Sequence, residues 1–155
     1  MARTTRTLAD PASKAYIVAR IGTLTPRSPR RWGKMSVNQM LCHLADSYRS
    51  VIGERGVSPG KHWLPLPILK WFALRVPLRW PPNMPTRPEN EQGVGGTPPA
   101  EFESDRRELI AALERFCSAS DSARGPHPLF GALTHEEWMI WGFLHADHHL
   151  RQFNA

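Results

Sequence analysis

Residues 134–153 read THEEWMIWGFLHADHHLRQF, and this stretch decides both the fold class and the search for a site. Thr134 and Glu137 stand at capping-box spacing, where each side chain satisfies a backbone N–H at the other's position. Beyond them, Met139, Ala146, Leu150 and Phe153 cluster on one side of a helical wheel. The spacing therefore predicts a long helix with a buried face. Three of the seven histidines fall within five residues of it. Side chains four apart on a helix project from one face, so His145 and His149 can converge, and the three-apart pair His145 and His148 can too. With His145 at zero, the apolar side centres at about +110°, His149 at about +40° and His148 at about −60°. The wheel thus turns His149 inward and His148 outward. Gln152, near −20°, sits beside both candidates as a partner for a histidine ring. Asp147 falls on the polar side, where solvation is its expected role.

Working upstream, residues 36–51 read SVNQMLCHLADSYRSV and carry a second capping box, Ser36 with Gln39. Val37, Met40, Leu44, Tyr48 and Val51 recur at helical spacing, and the helix is predicted to run to about Glu54, before Gly56. His43 lies at one margin of its apolar face, flanked by Gln39 and Ser47, with Asp46 one turn beyond. A first helix is predicted over Pro11–Leu24, with Asp10 as N-cap, Pro11 at the first helical position and Pro26 as the stop. Another follows Pro98-Pro99, with Glu101, Glu103 and Asp105 where the helix dipole favours acids. Phe102, Leu109, Leu113 and Phe116 form its inward stripe.

Four such helices with no convincing strand pair indicate an all-α four-helix bundle forming a single domain over residues 1–155. The hydrophobic fraction of 41% is enough for a core. Of the 15 prolines and 11 glycines, ten and four respectively lie within residues 59–99, so residues 57–99 are expected to form a long irregular, Pro-rich connection between the second and third of these helices. Its apolar part, residues 62–80, reads HWLPLPILKWFALRVPLRW. Packing across the bundle, a lid over a substrate pocket and contact with a membrane surface all suit it, packing best. Its prolines prevent one continuous amphipathic helix.

The formal charge of +6 and pI near 10 suggest a nucleic-acid partner, but the distribution argues otherwise. Residues 1–34 hold eight of the 20 Lys and Arg and one of the 14 acids, so the rest is near neutral. Arg27, Arg30, Arg31 and Lys34 read as a solvated basic surface rather than an anion site. Cys42 and Cys117 are too few for a disulfide framework and read as free thiols of a reducing cytoplasm. Residues 1–14 lack the apolar core of a signal peptide, and no stretch reaches the roughly 20 apolar residues of a membrane span. The expectation is a cytoplasmic protein without stable membrane insertion.

Helix wheels thus bring up one chemical candidate, His145 and His149 on one helix with His43 on another. Ligands from facing helices are a normal way to build a metal site in a bundle. Three imidazoles leave a coordination position open and suit Zn(II) or Ni(II). His62, His127 and His135 lie in loops or at a helix start and are read as non-ligands.

Several blocks carry a family resemblance: residues 32–46, WGKMSVNQMLCHLAD; 82–89, PNMPTRPE; 102–106, FESDR; 127–138, HPLFGALTHEEW; and 145–153, HADHHLRQF. Across residues 32–153 the chain resembles the DinB-like superfamily of bacterial four-helix metal-binding proteins, in a branch labelled as a domain of unknown function. The resemblance implies an antiparallel bundle with one divalent ion, Zn or Ni, near one end, held at the positions of His43, His145 and His149. Gln39, Asp46 and Gln152 are the expected supports of those rings. It also implies a homodimer and a small-molecule substrate. Some relatives transfer a low-molecular-weight thiol to an electrophile, which makes a metal-dependent transferase the expected activity, with hydrolysis by the same open site as an enzymatic variant. A non-catalytic metal-binding protein, or a DNA-damage or stress-related binding protein, is the alternative.

Overall fold

The structure is a computed structural model and describes residues 6–60, 66–76 and 78–155. Among these the chain is all-helical, with five α-helices and no strand: α1 (Pro11–Thr23), α2 (Val37–Val51), α3 (Leu66–Arg75), α4 (Phe102–Ser118) and α5 (His135–Gln152). Short 3₁₀ turns occupy Pro88–Asn90 and Asp121–Ala123.

Each long helix begins where its sequence offers a cap. Asp10 accepts from the N–H groups of Ala12 and Ser13, and Pro11 follows it at the first helical position. Both capping boxes form, Ser36 with Gln39 and Thr134 with Glu137. Glu101 is not in the first turn of α4 but is its N-cap, its carboxylate accepting from the N–H groups of Glu103 and Ser104. Helix α2 ends at Val51 rather than near Glu54, because Gly53 adopts φ +77 and takes the left-handed position that closes a helix.

The connection is more regular than the proline count suggests. Pro67 stands in the first turn of α3, where its missing N–H leaves no intrahelical bond unmade, so a ten-residue helix forms there. Helix α3 packs on α5 through buried Leu74 and through the pairs Lys70–Glu137 and Arg75–Glu136. Its other face leaves Ile68, Trp71 and Phe72 about half exposed. The expectations for residues 61–65 and Pro77 lie outside the described residues.

Helix α2 packs chiefly against α4, and α1 against α5. The four long helices share one core that includes Ile17, Leu44, Leu113, Phe116 and Leu150. Tyr48 crosses it and donates its hydroxyl to the Gly142 carbonyl at 2.9 Å. Gly142 is required by close approach: a Cβ there would lie 2.7 Å from the Phe116 ring and 2.8 Å from Leu8. Asp147, expected to be merely solvated, instead bridges Arg20 of α1 and Arg151. Among the described residues no helix is long and apolar enough to cross a membrane.

Candidate metal centre

Helices α2 and α5 meet where His43 faces His145 and His149. Tyr48 and Gly142 couple the two helices one to two turns away, which fixes their approach at the histidines. The ring centroids lie 5.4 Å apart for His43–His145, 4.7 Å for His43–His149 and 4.9 Å for His145–His149. One ring nitrogen from each lies within 4.8 Å of the others, close enough to converge on a single ion. His43 and His149 are buried, while His145 is partly exposed, so the cluster reaches the surface at one point.

Hydrogen bonding decides which nitrogens are free. His43 Nδ1 lies 2.9 Å from the Asn90 carbonyl oxygen, which only accepts, so Nδ1 carries the proton and Nε2 keeps its lone pair. His149 Nδ1 lies 2.9 Å from Gln152 Oε1. The Gln152 amide is oriented by its nitrogen, which donates to the Trp32 carbonyl at 2.8 Å, so its oxygen must face His149. His149 is therefore also an Nδ1–H tautomer with a free Nε2. An imidazole whose second nitrogen donates to a carbonyl or amide oxygen is the form in which metal-ligating histidines are held. His145 has no such tie: its Nδ1 is buried without a partner among the described residues. A buried polar atom left unpaired is costly unless a bound group satisfies it.

All three rings are kept neutral. Burial pushes His145 and His149 well below the ordinary histidine range, and proximity to the other imidazoles adds to the shift. Burial also lowers His43, opposed by its bond to Asn90 and by the charge of Asp46. Neutral imidazoles with free lone pairs are ligands ready to bind, because no proton must be displaced. The donor set fits a divalent ion of borderline softness.

The remaining expected supports lie elsewhere. Gln39 spends its side-chain oxygen on the Ser36 N–H, because the capping box claims it. Asp46 is fully buried, but its oxygens accept from the Thr97 N–H and hydroxyl, each at 2.7 Å, with Arg49 and Arg55 3.7 Å away. Asp46 thus acts on the loop that supplies Asn90. Arg55 binds the same loop through the carbonyls of Glu89 and Gly95.

His148, assigned to the outer side by the wheel, is in fact buried. The wheel treats α5 as covered on one side, whereas Trp32 and Trp80 cover the flank that carries His148. Its ring lies 5.0 Å from that of His149 but outside the three-nitrogen cluster. Asn90, the Trp32 carbonyl and the Trp80 ring carried no sequence signal, since each reaches the site from a distant segment, whereas Trp141 stands four residues before His145 on α5, a spacing that places the two side chains together.

The two thiols are poor nucleophiles. Burial pushes Cys42 up to about 12 and Cys117 up to about 11. In the basic segment, Arg30 is occupied by the carbonyls of Lys34 and Met35, and Arg31 lies over the Trp32 ring.

No curated protein and no solved structure matches the chain. A family of proteins of unknown function, described as "Protein of unknown function (DUF1569)", matches residues 5–155, and the chain belongs to that family.

Proposed function

We propose that this protein is a divalent-metal-dependent enzyme, built as a four-helix bundle of the DinB-like type, that activates a low-molecular-weight thiol for transfer to a small electrophile. The observation that carries the reading is the convergence of three neutral imidazoles, two held by Nδ1–H bonds with Nε2 free. Zinc or nickel at this set would act as a Lewis acid, lowering the pKa of a thiol or water that reaches it.

The protein's own residues supply the rest. Asn90 and Gln152 hold the His43 and His149 rings in the ligating tautomer. His145 stands at the accessible edge, where a fourth ligand would enter. Trp80 and Trp141 pack against His145 and limit water there. The chain's own cysteines stay protonated at neutral pH, so the thiol in this reading comes from solution. Hydrolysis at the same centre would use water in the thiol's place. By the same family likeness, two copies of the chain would associate.

Metal analysis of untagged protein tests the reading. One equivalent of Zn or Ni per chain, lost in His145→Ala, is the expected result. Protein that takes up no stoichiometric divalent ion, or a His145→Ala variant that keeps it, overturns the metal assignment. Turnover of a model electrophile with a panel of bacterial thiols separates the transferase from a silent metal-binding scaffold.

A further inference from the structure

The loop of residues 126–131, PHPLFG, is built around His127. Its backbone closes on Gly131 through two bonds, His127 N–H to the Gly131 oxygen at 2.8 Å and the reverse at 3.0 Å. The imidazole folds back inside this ring, where Nδ1 accepts from the N–H groups of Leu129 at 3.1 Å and Phe130 at 3.2 Å. Two donors onto Nδ1 leave it no proton, so the neutral ring carries its hydrogen on Nε2. Phe130 stacks on the ring at 4.3 Å with 13° between planes, and Trp138 and Trp141 hold its other sides. Position, tautomer and charge are therefore all set by the fold. This is an expensive arrangement for a residue that merely fills a loop.

The Nε2–H has no partner among the described residues. His127 lines a cleft of about 260 Å³ between residues 57–60 and 126–131. The Gly60 N–H donates to the Pro128 carbonyl at 2.8 Å and joins the two walls. Val57, Pro59, Pro126 and Pro128 make the walls largely apolar. Ser58 also lines the cleft, but its hydroxyl is engaged by Glu89 and Arg87. Among the described residues, His127 is thus the one lining side chain whose donor is unspent. Among the described residues no Lys or Arg lines the cleft, so a carboxylate would meet no counter-charge from them, at a desolvation cost. Trp141 packs against both His127 and His145 and so separates the cleft from the metal centre by a single ring.

We propose that this cleft binds a small neutral organic molecule with an apolar body and one amide, ketone or aldehyde oxygen, and that His127 Nε2–H donates to that oxygen. The site does not depend on the metal. Its class of ligand follows from the pairing of one neutral donor with apolar walls.

The test uses 4-fluorobenzamide as probe, followed by fluorine NMR, on the full chain. His127→Asn keeps an acceptor where Nδ1 stood, which preserves the loop, and removes the Nε2–H. The expected result is saturable binding to the wild type, about tenfold weaker in His127→Asn and unchanged in His145→Ala. Because His145→Ala removes a metal ligand, unchanged binding there separates this site from the metal reading. No binding to the wild type, or equal binding to His127→Asn, overturns the proposal. Should His127→Asn fail to fold, nitrogen NMR of ¹⁵N-histidine-labelled wild type decides. A His127 Nε2–H resonance that moves on adding the probe supports the proposal, and one that stays still overturns it.

Discussion

Replacing Gln152 by Ala removes one side chain that serves two buried groups. Its oxygen takes the His149 Nδ1–H and its nitrogen satisfies the Trp32 carbonyl, and Gln152 itself is only 3% exposed. Without it, His149 loses the bond that fixes its tautomer and ring orientation. Loss of such a partner typically lowers metal affinity 10–100-fold, or about 1.4–2.8 kcal/mol. The unpaired N–H and carbonyl each cost about 1–3 kcal/mol of folding stability when buried, so metal-free protein should also melt earlier. Gly33→Ala reaches the same bond from the other side. Gly33 sits at φ +80, and a Cβ there would lie 2.6 Å from Gln152 Nε2, so the amide must move although its chemistry is intact. Zinc competition against a chromophoric chelator at pH 7.5 measures the affinity, and thermal unfolding without metal measures the stability. Both variants should lose affinity, Gln152→Ala the more. A folded Gln152→Ala variant that binds zinc within twofold of wild type would refute the role given to this bond.

Other outcomes follow from the same structure. Metal-free protein should lose stability as pH falls below about 6.5. The unfolded chain then takes up protons on its histidines, whereas burial holds folded His148 at about 4 and His127 at about 3. Unfolding midpoints measured from pH 7.5 to 4.5 should fall, and His148→Phe should flatten the slope. An unchanged slope in that variant would mean His148 titrates normally in the fold. Gly142→Ala forces a methyl against Phe116 and Leu8 and should cost about 1–3 kcal/mol, read by denaturant unfolding. A variant as stable as wild type would show that the helix contact relaxes freely.

Legibility in the sequence divided along the range of the interactions. Caps, helix starts and inward stripes depend on residues within a turn or two of each other. Ser36 with Gln39 and Thr134 with Glu137 were therefore readable, and both form. The pairing of His145 with His149 needed only the pitch of one helix, so it was readable as well. Helix α3 was missed because prolines argued against regular structure, although a proline in a first turn breaks nothing. His148 was misplaced because a wheel contains no neighbours, and here Trp32 and Trp80 close over the expected polar side.

By itself the sequence determined an all-helical chain, the starts of α1, α2 and α5 and two histidines on one face of α5. Tertiary structure alone decided that His43 reaches them, that Asn90 and Gln152 choose the free nitrogens, and that Asp46 serves the 88–97 loop instead of a ring. The reason is physical. Helical order is written in local hydrogen bonds and periodic burial. The tautomer and orientation of a buried imidazole are set by whichever carbonyl the fold brings to it, here one lying 47 residues from His43 in the chain.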